Sequence, residues 1–253
     1  RCYLTKLNRD EFALLISHHH LVMDGWSFQK VADFLSKAYI DEISGIKNNV
    51  QITDMLNKPA LPWSGYLKWL KRQSENQSTE FWHFFLDLHK SRQPLTFEVG
   101  KKNASQDNRK RIEHVIDVSL VDQLNKWCVR NKSTPATTMM CIFALASARL
   151  SAAPNGVMLG NVRSMRGVNI DGINDAVGLY ISTLPIFIPS DASKSFGDLI
   201  KQVQKNVFDL DIHGHLGAGG DMSINPGNLL KLIDAAFIYE NYPSNNINTV
   251  GDL

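Results

Sequence analysis

His19 and His20 stand side by side, followed by Leu21, Val22 and Met23 and then by Asp24-Gly25. Imidazole titrates near neutral pH, so either ring could exchange a proton with a substrate in water. Asp24 could serve as a second base or as a brace for the loop. The Asp24-Gly25 pair suits a sharp turn, because glycine tolerates positive φ. A metal site is the rival reading of His18-His19-His20. Adjacent side chains cannot all face one ion, and no remote His/Cys cluster with ligand spacing accompanies them. The bland reading is an ordinary packed histidine.

The elements around this run are expected to present it. Phe12 to Ile16 is a short apolar run, which predicts a buried strand. After Asp24-Gly25, the residues Trp26, Val31, Phe34, Leu35, Ala38 and Tyr39 recur at helical spacing, and Gly45 is a plausible stop. A loop between strand and helix is a rigid-framed place from which to present a reactive side chain. Residues 45–61 read as a loop, 62–74 and 78–88 as aromatic-rich helices, and 89–110 as a linker or disordered loop. Alternation predicts a strand over 112–118. Ser119 with Asp122 three residues on resembles a capping box opening the next helix. Thr134-Pro135 opens another, apolar nearly all round and so expected to be buried to about Leu150. Strands are expected at 156–162, 178–188 and 234–240, and a long helix at 195–210. Strands alternating with helices argue for an α/β architecture.

With 253 residues, 43% of them apolar, the chain can form one large domain or two smaller ones. The near balance of 27 basic and 25 acidic residues gives no general attraction to nucleic acid or to anionic lipid. Nothing reads as a membrane span or signal peptide. Cys2, Cys128 and Cys141 are dispersed, which fits a reducing cytoplasm rather than zinc or a disulfide framework. Cys128 and Cys141 sit in apolar helical patterns and are expected in the core. Both ends of the chain read as cut from something longer.

His19-His20-x-x-x-Asp24-Gly25 followed by Trp26-Ser27 resembles the core motif of the condensation-domain superfamily of non-ribosomal peptide synthetases. Trp63-Ser64-Gly65-Tyr66-Leu67-Lys68-Trp69, Phe81-Trp82, Val177-Gly178-Leu179-Tyr180-Ile181-Ser182-Thr183-Leu184-Pro185 and Phe237-Ile238-Tyr239-Glu240-Asn241-Tyr242-Pro243 are similar to later family motifs, in the family's order. Two departures stand out. Ser182 replaces the usual Asn, and His213-Gly214-His215-Leu216-Gly217 matches the family's next motif poorly. Residues 214–220 are also rich in glycine. The family's N-terminal part and its end have no counterpart here, as in a fragment, a proteolytic product or one half of a split chain.

The resemblance implies a chloramphenicol-acetyltransferase-like two-lobed sandwich. Residues 1–88 would end the N-terminal lobe, 89–110 would link, and 111–253 would form an incomplete C-terminal lobe. It implies an acyltransferase that joins an amine to a thioester, with no cofactor of its own. Its substrates would ride on the 4′-phosphopantetheine arms of donor and acceptor peptidyl carrier proteins, beside adenylation domains, in the cytoplasm. His20 would be catalytic, taking a proton from the amine or hydrogen-bonding the tetrahedral intermediate. His19 and Gly25 would structure the loop, and His18 would face away. Asp24 would pair with Arg166, from a Ser164-Met165-Arg166 stretch like the family's "SGR", in the other lobe. Ser27 and Ser182 would line the substrate tunnel. Trp26, Trp63, Tyr66 and Trp69 read as core aromatics. An epimerization domain, a stand-alone acyltransferase using coenzyme A and a non-catalytic carrier-docking module are the rival functions. The 178–185 stretch leans toward a D-configured donor.

Overall fold

The computed structural model describes residues 1–45, 61–73, 75–96, 110–151, 155–217 and 226–240. The expected loop at 45–61, the linker at 89–110, the glycine-rich stretch and the segment from Asn241 onward lie largely outside the described residues. The chain divides into two compact units. The first contains Arg1–Gln73 and Ser164–Ile181, and the second contains Ser74–Arg163 and Ser182–Tyr239. This differs from the contiguous division expected at 88 and 111. The segment 164–181 packs with the N-terminal residues, and the helix beginning at Glu75 packs with the C-terminal ones.

In the first unit, β1 (Cys2–Lys6) and β2 (Phe12–Ile16) form an antiparallel pair with Cys2 opposite Ile16 and Lys6 opposite Phe12. The strand over Phe12–Ile16 is as expected, but its burial is not. Leu14 and Leu15 point to opposite faces, and both are more than half exposed. So continuous an apolar run asks for cover on both faces, and no described element supplies it. Then α1 (Gly25–Ile43) follows, capped by the Asp24 carboxylate on the Ser27 N–H, and Gly45 adopts φ +66° just beyond its last turn. α2 (Trp63–Leu70) buries Tyr66 against Tyr180, Met165, Ile173 and Ala176, the small core of this unit.

The second unit has the larger core. A three-stranded sheet runs in the order β4 (Ile181–Pro189), β3 (Gly156–Ser164), β5 (Ala235–Phe237), with β3 and β5 parallel and Leu159 opposite Ala235. Val157, Met158 and Leu159 are fully buried, so β3 is covered on both faces, as its unbroken apolar run requires. The helices are α3 (Glu75–His89), α4 (Val118–Arg130), α5 (Pro135–Leu150), α6 (Phe196–Gly217) and the short α7 (Pro226–Lys231). α3 and α5 pack on α6, and α4 packs on α5. Trp82, Cys141, Ala144, Leu184, Ile186, Ile200 and Val203 fill the space between them.

Several expectations are corrected here. Residues 112–117 form no strand, and Val115 is 91% exposed. α4 starts one residue earlier than expected, at Val118, because the Asp117 carboxylate caps it by accepting the Ser119 N–H at 2.8 Å. α5 does begin at Pro135, with the Thr134 hydroxyl accepting the Thr137 N–H at 3.1 Å. It buries one face only, leaving Ile142 and Phe143 exposed by two-fifths or more. β4 begins three residues after the expected position, β5 is shorter, and α6 runs about two turns further. Cys128 and Cys141 are buried, as expected.

Candidate active site

β2 ends at Ile16, and the chain crosses the histidine run to reach the first turn of α1. His18, His19 and His20 are all exposed. The His18 ring stacks on Phe28, with centroids 5.7 Å apart. His19 folds the loop on itself: its Nδ1 accepts the Leu21 N–H at 3.1 Å and its carbonyl accepts the Val22 N–H at 3.0 Å. Among the described residues nothing hydrogen-bonds the His20 ring, which leaves both its nitrogens open to an incoming group.

Two residues after this exposed turn the chain enters a fully buried polar knot. Asp24 has no exposed surface, and both its carboxylate oxygens are engaged. One oxygen accepts the Ser27 N–H at 2.8 Å; the other accepts Arg166 Nη1 at 2.7 Å and the Tyr180 N–H at 2.9 Å. Its own N–H donates to the Gly178 carbonyl at 3.1 Å. Arg166 is 5% exposed, donates a second nitrogen to Ser27 Oγ at 2.8 Å and to the Ala176 carbonyl at 3.2 Å, and lies 4.5 Å from the centre of the Tyr180 ring. Burial by itself raises the Asp24 pKa. The Arg166 hydrogen bond and the N–H donors of Ser27 and Tyr180 outweigh it and hold the carboxyl below its ordinary 3.8. Asp24 is thus an anion near neutral pH, buried and already holding three donors, which makes it a brace rather than a base.

The pairing of Asp24 with Arg166 was expected, but with the arginine in the other lobe. Both belong to the same compact unit, because residues 164–181 fold back beside the histidine loop. Ser27, expected on a tunnel wall, is an internal tie. Its Oγ donates to the Gly178 carbonyl at 2.9 Å and accepts the Gly178 N–H at 3.0 Å and Arg166 Nη2, so the hydroxyl has nothing left for a ligand. Gly25 is the first residue of α1 and is not among the glycines with positive φ. The expected left-handed turn is therefore not what it supplies. Ser182 is half-buried at the second position of β4, in the second unit.

Gly178 was quoted only as part of a motif, yet its backbone binds Asp24 and Ser27 three times. A β-carbon there would lie 2.8 Å from the Tyr180 ring and 3.3 Å from Trp63, so only glycine lets the segment approach. The signal in sequence is a glycine before an aromatic residue in an apolar run. Of the expected core aromatics, Tyr66 is buried and packs edge-on to Tyr180 at 5.2 Å, whereas Trp26 and Trp63 are 37% and 40% exposed. His213, in the poorly matched stretch, sits near the end of α6. Its Nδ1 pairs with Ser78 Oγ at 3.0 Å, and its ring stacks on Phe81. That makes it a strut between α6 and α3. Among the described residues no group of three or more His, Cys, Asp or Glu is placed to hold a metal ion. None of their helices is long and apolar enough to cross a membrane.

Comparison with known proteins gives the class. The chain belongs to the condensation-domain family, whose model matches residues 1–251. It is 29% identical over 244 residues to bacitracin synthase 3 of Bacillus licheniformis, covering 96% of this chain and 4% of that protein. It is 27% identical over 246 residues to tyrocidine synthase 2 of Brevibacillus parabrevis, covering 96% and 6%. The chain thus spans a small fraction of the length of these curated relatives. Among solved structures, the first condensation domain of the CDA synthetase superposes with a TM-score of 0.69 at 12% identity, over 96% of this chain and 52% of that one. The epimerization domain from the third module of tyrocidine synthetase B does so at 0.73 and 18%, over 94% and 55%. These likenesses establish the expected fold, over about half of each solved chain.

Proposed function

We propose that this condensation-family chain takes part in amide-bond formation between an acyl or peptidyl thioester on one carrier protein and an amine on a second carrier or free in solution. The observation that carries this reading is the exposed His20 imidazole on a loop whose exit is fixed by the buried Asp24–Arg166 pair. The amine nitrogen attacks the thioester carbonyl. The C–N bond forms, the C–S bond breaks, and the amine proton passes by way of His20 to the departing thiolate. An α-amino group has a pKa of roughly 8, so about a tenth is already neutral at pH 7. General-base help is worth about 10²–10⁴-fold, and holding two tethered reactants together adds several kcal/mol. His20 therefore acts as the base or as a hydrogen-bond donor to the tetrahedral intermediate. Asp24 and Arg166 are positioning residues.

On this reading the partners are donor and acceptor carriers with phosphopantetheine arms, with adenylation domains alongside. The residues after Gly25 are Trp26-Ser27-Phe28 rather than the x-Ser-Trp-Arg of epimerization domains, which favours condensation. The test is His20→Ala in the protein as the cell makes it, offered two loaded carriers. Amide formation should fall by about 10²–10⁴-fold with the urea midpoint unmoved. Unchanged turnover removes His20 from the chemistry. Exchange of the α-proton of a single loaded aminoacyl carrier in D₂O, without amide formation, would replace condensation by epimerization.

A further inference from the structure

The second unit holds a cavity of about 610 Å³ between α3, β4 and α6, within the size range of sites that enclose a small organic molecule. It belongs wholly to that unit and shares no residue with the His20 loop. Its inner wall is aromatic. Phe81 and Phe85 come from successive turns of α3, and Phe187 comes from β4. His89, the last residue of α3, lies between two of these rings, 4.7 Å from Phe85 and 4.5 Å from Phe187. His89 lines the cavity while only 8% exposed, and among the described residues nothing hydrogen-bonds its ring. With no such partner, the ring nitrogens that reach the cavity are free to bond whatever enters it.

The charges around the cavity decide what kind of ligand. Arg92 is neutralised by Asp234 at 2.7 Å and also donates to the Leu232 carbonyl. On α6, Lys205 is held by Asp209 at 2.9 Å. A carboxylate entering here would have to displace Asp234 or Asp209, and a cation would have to displace Arg92 or Lys205. Neither gains a free counter-charge to offset its lost hydration. The remaining polar groups at the mouth are the amide side chains of Asn206 and of Gln202, whose Oε1 already accepts Lys194 Nζ at 3.1 Å and whose NH₂ stays available. We propose that this cavity is a ligand site for an uncharged aromatic molecule bearing an amide, its ring against Phe85 and Phe187 and its amide hydrogen-bonded to the His89 imidazole. Burial, reinforced by the nearby Arg92 charge, keeps the His89 pKa below its ordinary 6.5, so the ring is neutral near pH 7. It then offers one donor and one acceptor, the complement of an amide.

The probe is N-acetyl-L-phenylalaninamide, titrated into the whole chain carrying ¹³C-labelled histidine. The His89 signal, identified by its loss in His89→Gln, should shift saturably. N-acetyl-L-phenylalaninate, the same ring with a carboxylate, should bind about tenfold more weakly or worse, as should phenethylamine. Gln202 is an exposed residue of α6, so Gln202→Trp covers the mouth without disturbing the core. It should reduce affinity for the amide by about tenfold or more with an unchanged circular dichroism spectrum. The site is overturned if the His89 signal does not move, if the charged analogues bind as tightly as the amide, or if Gln202→Trp leaves the affinity unchanged.

Discussion

In the first unit Asp24 and Arg166, 142 positions apart, meet at 2.7 Å; in the second unit Asp234 and Arg92 meet at the same distance across the same separation. The local chemistry is nearly the same. In each pair one carboxylate oxygen accepts a single backbone N–H, from Ser27 or from Leu95 at 3.1 Å. The other oxygen accepts the guanidinium and a second backbone N–H, from Tyr180 just before β4 or from Met158 in β3 at 3.0 Å. What differs is what each pair holds. Asp234 and Arg92 tie the chain just past the end of α3 to the sheet, at the edge of the larger core. Asp24 and Arg166 hold the exit of an exposed histidine loop in a unit whose core is small and aromatic. One bonding pattern serves as a rivet in one place and as the mount of an exposed histidine loop in the other.

The largest expected effect comes from breaking each pair from one side. Asp24→Asn and Asp234→Asn each leave a buried guanidinium without its counter-charge, which costs about 3–5 kcal/mol. Urea denaturation should show losses of similar size. The functional consequences should separate. Amide formation per folded molecule should fall in Asp24→Asn, because the loop loses its anchor, and stay at the parent value in Asp234→Asn. Equal loss per folded molecule in both would mean that Asp24 is a rivet like the other.

The next effect is one of pH. Asp24 has a depressed pKa when folded, so its contribution to stability is fully present above the unfolded value of about 3.9. It is lost as the pH falls through the lower folded value. The urea midpoint of the parent chain should therefore decline as pH is lowered from 6 toward 3. Asp24→Asn, lacking the titrating group, should decline less over the same range. Parallel declines would show that Arg166 does not hold the carboxylate charged.

These contrasts also mark what could be read in advance. The histidine loop, α1, α2, α3, α5 and the pairing of Asp24 with Arg166 were legible, because each rests on local pattern or on a motif with fixed spacing. The second pair was not. Asp234 belongs to no motif, Arg92 lay in a stretch read as a linker, and only the folded chain brings them together. Ser27 was placed by analogy on a tunnel wall, when its three bonds to Gly178 and Arg166 depend on a segment about 150 positions away. The exposure of β2 could not be read from Phe12–Ile16 either, since apolarity states what a strand needs and not what covers it. Residues 112–117 alternate as a strand should, yet alternation supplies no hydrogen-bonding neighbour.

Ser27→Ala probes a tie that the second pair lacks. The change removes a hydroxyl that bonds Gly178 twice and Arg166 once, leaving buried groups unsatisfied at a cost of about 1–3 kcal/mol. Backbone amide exchange at Gly178 should accelerate with it. A loss below about 0.5 kcal/mol would mean that Asp24 alone carries the mount.

The smallest effect should have the opposite sign. Tyr180 packs its ring face on Arg166 and its edge on Trp63 and Tyr66, but among the described residues its buried hydroxyl has no hydrogen-bond partner. A buried hydroxyl without a partner costs free energy that the ring alone would not. Tyr180→Phe keeps the cation–π contact and the packing and removes only the oxygen. It should raise stability by up to about 1 kcal/mol and leave amide formation unchanged, since the ring and the Tyr180 N–H to Asp24 both remain. A destabilised variant would show that the phenol oxygen is bonded within the fold, and the first mount would then be a hydrogen-bonded network extending beyond the ion pair, unlike its counterpart at Asp234.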